Sequence, residues 1–454
     1  MSERRQRRAG IGLAGALVAG LAVVVMVASG AGAATPTARA SAVAADGAGV
    51  TPKSIKVGIA LVDFDCIKDF TDSIRTNQQK TYQAFIDDLN AKGGINGRTI
   101  DPVYDSYCPI GSAGPLAVCT KFTDDEKVFA VIGTFIDFSG DAQTCVAKQH
   151  STVLMTYNLT QQIIDESPPG LMIYPGATNE RTAKVLLQLL KRQKTLKGKK
   201  VAVLGGANDA NTVNKTIVPG LKKQGVDLGS TAVLSSGGAS TDTSSAQAQL
   251  DSFLEKWKGE HVQAIVLSGN IVSAKDFVTK IKAAMPDVQL LVDNTDVRGQ
   301  GRDLVAAGVE PNPYDGIIAA GGPTPAEYAK GPNWKYCAAI YKKYVGEKPQ
   351  TPTQVVKKGG KIIDNYGTLN DACQVMTMFH DIATKAGKGL DNASWVNAVD
   401  NYGAITNRGS GPYSSLHKGK YDAEDSFRLE QFSSNAGSGG DWKGMTPVAN
   451  TPGQ

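Results

Sequence analysis

The stretch that decides the fold is Ala84–Gly97, AFIDDLNAKGGING. With the residues just before it, it puts Tyr82, Phe85, Ile86 and Leu89 at i, i+3, i+4 and i+7, which is one apolar face of an α-helix. Gly93-Gly94 then stops the helix where a left-handed cap requires glycine, and Ile95-Asn96-Gly97 turns the chain. Before this stretch lies Lys56–Val62 (KVGIALV), a short β-rich run. After it a second strand is predicted near Thr99–Tyr104.

The alternation continues outward. Helices are predicted around Pro115–Asp125 and Asp141–Gln149, with strands at Phe129–Ile132, Val153–Thr156 and Leu171–Tyr174. Arg181–Arg192 is an amphipathic helix with Thr178 or Asn179 as its cap. A second series opens at Lys200, with strands Val201–Leu204, Leu228–Leu234, Ala264–Ser268, Gln289–Val292 and Gly316–Ala320. Its helices fall at Thr212–Lys223, Ser244–Lys258 and Ser273–Ala284. Strands alternating with helices of ten or more residues mean parallel sheets covered on both faces, so the fold class is α/β with two doubly wound lobes. The C-terminal part reads as helices Asn333–Val345, Tyr366–Ala386 and Ala393–Asp400, then a strand near Phe427–Phe432. The Gly-, Ser- and Asn-rich tail from Ser433 is expected to be disordered.

The N-terminus reads as an export signal. Arg4, Arg5, Arg7 and Arg8 precede an uncharged apolar run, Ala9–Ala28, and Ala31-Gly32-Ala33 fits a cleavage site. An uncleaved membrane anchor is the rival reading, since the run is long enough to span a bilayer. A lipid anchor is disfavoured because the first cysteine is Cys66. The first 33 residues hold four of the 48 Lys and Arg and one of the 43 Asp and Glu. The remainder therefore carries 44 against 42, a net of +2. That leaves no strong field to attract nucleic acid. Six cysteines in an exported chain imply disulfides, and no C-x-x-C or Cys/His spacing suggests a metal.

Motifs of catalysis are missing. There is no H-E-x-x-H, no G-x-S-x-G elbow and no phosphate-binding G-x-x-x-x-G-K-[ST] loop. Gly299-Gln300-Gly301 follows a strand but lacks the third glycine of a dinucleotide loop, and reads as a turn. No cofactor is implied. What remains are short polar stretches at strand C-terminal ends, where open α/β sheets bind ligands. These are Asp63–Asp65, Phe138–Ser139, Tyr157–Thr160, Ala207–Asn211, Gly269–Asn270 and Asp293–Asp296. Ser139, just before the Asp141 helix, suits an anion at the helix start and equally suits a plain N-cap. Phe64, Phe138 and Tyr157 supply rings for an apolar wall or for ordinary packing.

The Ala84–Gly97 segment closely resembles the A-x-x-x-I-N-A-x-G-G-I-x-G signature of the type I periplasmic binding proteins, nearest to the branched-chain amino acid (leucine-binding) proteins of ABC importers. Phe129-Ala-Val-Ile-Gly133 and Val153-Leu-Met155 are similar to that family's next strands. The resemblance implies two lobes joined by three crossovers, with the ligand trapped between them. Lobe 1 would be 52–177 plus 323–402 and lobe 2 178–322 plus 403–435, after a signal at 1–33 and a linker at 34–51, with 436–454 as the tail. It places the serine that holds a ligand carboxylate at Phe138–Ser139 and the next lobe 1 contact at Asn158–Thr160. The acidic partner of a ligand amino group would fall at Asp293–Asn294, and lobe 2 contacts at Asp209–Asn211 and Asn270. It also suggests the pairs Cys66–Cys108, Cys119–Cys145 and Cys337–Cys373.

The sequence departs from the family at Ile136-Asp137-Phe138-Ser139 and at Tyr157-Asn158-Leu159-Thr160, so leucine is not carried over as the ligand. The expected protein is exported, periplasmic or extracellular, and not an enzyme. It captures a small polar, amino-acid-like ligand for an ABC importer permease and has no nucleic-acid partner. It meets membrane only through an uncleaved signal. An extracellular sensor of the same fold is the alternative, and an exported hydrolase the third reading.

Overall fold

β1 (Ser54–Val62) is buried at every residue from Val57 onward, because it lies inside a sheet covered on both faces. The computed structural model that shows this describes residues 47–452 except 69, 70, 72, 138, 236–242, 270–273, 294, 407, 410 and 438. The expected signal, most of the linker, and Phe138, Asn270 and Asn294 lie outside the described residues. β1 pairs with β2 (Thr99–Tyr107) on one side and β3 (Ala130–Gly133) on the other. β4 (Val153–Thr156) and β5 (Met172–Ile173) complete an all-parallel sheet of order β2-β1-β3-β4-β5.

The deciding segment forms α1 (Gln78–Ala91), and its predicted face of Tyr82, Phe85, Ile86 and Leu89 is at most 6% exposed. Gly94 has φ +64°, and a Cβ there would sit 1.9 Å from the Arg98 carbonyl, so only glycine fits. Further along, Phe129 packs edge-on against Trp395 at 6.0 Å, and Phe379 lies 5.6 Å from the same indole.

The second sheet is built from β6 (Lys200–Gly206), β7 (Asp227–Leu234), β8 (Ala264–Ser268), β9 (Gln289–Val292), β10 (Ile318–Gly321), β11 (Ser426–Ser433) and β12 (Asp441–Gly444). Their order is β12-β11-β10-β9-β8-β6-β7, parallel from β7 to β10 and antiparallel beyond. Side chains alternate between two cores. Val201 and Val203 pack with Leu186 of α2 (Asn179–Arg192), whereas Ala202 and Leu204 pack with Leu250 and Trp257. Thr178 caps α2, its hydroxyl accepting from the Arg181 N–H. The chain is therefore α/β with parallel sheets and two lobes, as expected.

Three crossovers join the lobes and lie side by side. Tyr174 N–H donates to the Tyr421 carbonyl at 2.8 Å, and Glu424 N–H to that of Gly176 at 3.0 Å. Gly321 pairs with Arg428 next to them. A buried ionic cluster ties this strap to α2. Arg181 Nε donates to Asp422 Oδ2 (2.6 Å) and Nη1 to Asp425 Oδ1 (3.1 Å), while Lys420 Nζ lies 3.1 Å from Asp425.

Four differences from the sequence reading have physical causes. Residues 403–423 were expected in lobe 2, but Leu416, Tyr421 and Ala423 are buried in the core of the first lobe, so the third crossover comes later. The tail expected to be disordered pairs as β12 and Ala449–Asn450 on β11, with Trp442 buried against Phe432. Gly299-Gln300-Gly301 lies within α3 (Thr295–Ala307) rather than in a turn. Unforeseen too is a small sheet in which Val356–Lys358 and Lys361–Ile363 join Ser73–Ile74, attaching an insertion to lobe 1. Among the described residues no helix is long and apolar enough to cross a membrane.

Disulfides join Cys66 to Cys108, Cys119 to Cys145 and Cys337 to Cys373, the pairs suggested by the resemblance. All six cysteines lie in lobe 1.

Candidate ligand-binding cleft

The C-terminal ends of the parallel strands carry the polar stretches, and several hydrogen bonds hold the loop after β3. Thr156 Oγ1 donates to the Gly133 carbonyl (2.8 Å) and accepts from Phe135 N–H (2.8 Å). Tyr107 Oη accepts from Ile136 N–H at 2.6 Å. Asp137, only 5% exposed, then takes three donors. Its Oδ1 accepts from Ser139 N–H (3.0 Å) and Ser139 Oγ (2.8 Å), and its Oδ2 from Ala142 N–H (2.7 Å). Ser139 itself is exposed.

Thr160, at the end of the next strand's loop, caps the Gln161–Glu166 helix by accepting from Ile163 N–H at 3.2 Å. Asn158 holds a positive φ of 60° in the same loop, a conformation asparagine tolerates. Across the cleft, Asp209 is buried and accepts from Asn179 Nδ2 (3.4 Å). Gly269, at φ +78°, must be glycine, since a Cβ would lie within about 2 Å of the Asp209 carboxylate. Asp293 is 1% exposed and accepts from Ser268 Oγ (2.7 Å) and Gly269 N–H (2.9 Å). Burial, and next the charge of Glu180, push its carboxyl up to about 7 against the stabilising pull of those bonds. Asn211 Nδ2 donates to Gln162 Oε1 of the opposite lobe.

The structure adds a group that reading strand ends did not reveal. Arg75, from the loop before α1, donates from Nη1 to Asp371 Oδ2 (2.7 Å), with Nε 3.4 Å from Asp364 Oδ2. Asp371 belongs to α4 (Asn365–Ala386). The Arg75 and Asp371 side chains are 20% and 16% exposed, so the pair keeps partial contact with solvent. Burial raises the Asp371 carboxyl, and Arg75 pulls it back. Tyr82 and Tyr157 have hydroxyls raised first by burial and then by the Asp371 charge, which places both rings beside it. Tyr157 Oη donates to Gln374 Oε1 at 2.6 Å, and Gln374 Nε2 to the Pro175 carbonyl of the first crossover at 3.2 Å. Arg75 and Asp371 are 296 residues apart, so no spacing in the sequence signals their meeting.

The lobes also touch around the cleft. Gln161 N–H donates to Glu180 Oε2 (3.0 Å), and Arg302 Nη2 reaches the Pro352 carbonyl of the insertion (3.2 Å). A separate cavity of about 710 Å³ lies between Gln79, Lys80, Gln83, Tyr344 and Glu347. Lobe 1 alone lines it, so lobe closure cannot seal it. The strand ends are therefore the better site.

Two parallel-sheet lobes, three adjacent crossovers and a polar cleft at the strand ends define a bilobal binding protein. A family model described as periplasmic binding protein matches residues 71–362, well over half of the chain, and the chain belongs to that family. Comparison with curated proteins finds no match. Among solved structures, a fatty acid ABC transporter substrate-binding protein from Thermomonospora curvata has a TM-score of 0.62 at 16% identity, covering 90% of this chain and 95% of its own. An R. palustris solute-binding protein in complex with 4-hydroxybenzoate has 0.64 at 16%, with coverages of 88% and 98%. A leucine binding protein from Thermotoga maritima has 0.61 at 14%, with 88% and 99%. At these identities the likeness is one of fold.

Proposed function

We propose that this chain is the exported solute receptor of an ABC importer, trapping a small polar ligand between its lobes and presenting it to the permease. Export would use the signal at residues 1–33. The observation that carries the reading is the cluster of Arg75, Asp371 and Tyr157, partly open to solvent and joined through Gln374 to the first crossover. A ligand there touches the hinge, so its binding energy is available to drive closure. Ser139, Asn158 and Thr160 would complete the lobe 1 wall, and Asp209, Asn211 and Asp293 the facing one. Three solved relatives by fold carry ligands as different as a fatty acid, a hydroxybenzoate and leucine in their descriptions, so the pocket's own chemistry must define the ligand.

A thermal-shift screen of the full chain against a broad metabolite library tests the proposal. At least one compound should raise Tm in a concentration-dependent way, since binding to the native state stabilises it. Tyr157→Ala and Asp371→Ala should each weaken that compound about tenfold or more. No stabilising compound, or one indifferent to both variants, sinks the proposal.

A further inference from the structure

We infer that this cleft is built for a cationic ligand without a carboxylate, an organic amine, because Asp137 reverses the polarity of the hydroxyl at the strand end. The inference rests on the reading of the strand-end cleft as the ligand site.

A hydroxyl has one proton. The Ser139 hydroxyl donates it inward to Asp137 Oδ1 and accepts from Asp141 N–H. What it turns outward is a lone pair, which can receive a donor but cannot hold a carboxylate. The backbone N–H groups that would otherwise serve a ligand anion, those of Ser139 and Ala142, are taken by the same aspartate. A ligand carboxylate brought here would find the N–H groups of Ser139, Asp141 and Ala142 already engaged, and a resident negative charge. The amino-acid pose implied by the family resemblance, carboxylate on Ser139, is thereby closed.

The rest of the cleft has the same sign. The Tyr157 proton is committed to Gln374, and the Gln374 amide to Pro175, so the phenol oxygen is an acceptor. Arg75 faces two carboxylates, Asp364 and Asp371, which more than cancel its charge. On the other lobe the half-buried Glu180 at the start of α2 supplies a carboxylate, while Asp209 and Asp293 are buried and Asp293, raised to about 7, holds only part of a charge at neutral pH. An ammonium or substituted amine meets acceptors on both walls and the half-buried ring of Tyr157, where a cation is also favoured.

The test uses the full chain and thermal-shift titration, with Asp137→Ser and Asp137→Asn as variants. Sodium acetate is compared with sodium chloride at equal ionic strength, and leucine and 4-hydroxybenzoate with isoamylamine and tyramine. The wild type should show no acetate-specific rise in Tm and should bind an amine at least tenfold more tightly than its carboxylate partner. Asp137→Ser vacates the three donors. It should gain an acetate-dependent rise and lose at least tenfold in amine affinity. Asp137→Asn keeps an acceptor for the loop, guarding against simple misfolding, and should show the amine loss. Carboxylates binding the wild type as tightly as amines overturn the inference, as does a folded Asp137→Ser indifferent to acetate. The acetate arm needs no cognate ligand, so its failure is distinct from failure of the solute-receptor reading, which would show as a library without any stabilising compound.

Discussion

The two lobes share a plan but are stabilised differently. Lobe 1 holds all six cysteines, bridged across sequence separations of 42, 26 and 36 residues, around an all-parallel sheet. Lobe 2 has no cysteine and extends its parallel strands with the antiparallel β11 and β12. One bridge, Cys66–Cys108, ties the loop after β1 to the chain just past β2, at the cleft edge. Lobe 1 is thus covalently cross-linked, whereas lobe 2 depends on packing, hydrogen bonds and the buried ion pairs of Arg181.

The largest effect should come from reducing the three bridges. Each is worth about 2–4 kcal/mol, so reduced protein in urea should lose lobe 1 first, seen as early loss of hydrogen-exchange protection in β1–β4. Early loss of lobe 2 instead would break the comparison. Next, Trp257→Ala should cost about 3–5 kcal/mol, because the indole is fully buried and its Nε1 donates to the Ser230 carbonyl. In an oxidised melt the loss should fall on a lobe 2 transition, whereas Trp395→Ala should lower that of lobe 1. The shared strap gives the third case. Asp422→Asn removes a charge facing both Arg181 and Lys420, and should cost about 3 kcal/mol, destabilising both lobes together in calorimetry.

The smallest effect is one of pH in lobe 2. Asp293 has its folded-state value raised to about 7 from an ordinary 3.8. Between those values the native chain holds a proton that the unfolded chain has released, so stability falls as pH rises through that window. Asp293→Asn should match the wild type near pH 4 and exceed it above pH 7 by on the order of 1–3 kcal/mol. Urea midpoints across pH 4–8 would show it, and a parallel pair of curves would reject it.

Much of the fold was legible because its signals are local. The face of Tyr82, Phe85, Ile86 and Leu89 repeats every 3.6 residues, and the strands read as short apolar runs. The tail misled because glycine and serine flank a single large anchor, Trp442, whose partner Phe432 belongs to another strand. Gly299 and Gly301 looked like a turn, yet neighbours from elsewhere hold that segment helical, with Gly301 against Phe432. The sequence placed Ser139 just before a helix but could not give the direction of its hydroxyl. Asp137 stood two residues away in the sequence, and only the folded loop shows that it takes the serine's proton.

By itself the sequence determined the alternation of strands and helices, the positions of the polar strand-end loops and the expectation of cystines. These follow from periodicity, turn chemistry and composition, which act within a few residues. The tertiary structure alone decided that Arg75 meets Asp371 across most of the chain, that the third crossover falls after Ala423, and that the strand-end hydroxyl points inward. Those are matters of which distant groups share a small volume and which acceptor wins a single proton, and no local pattern encodes them.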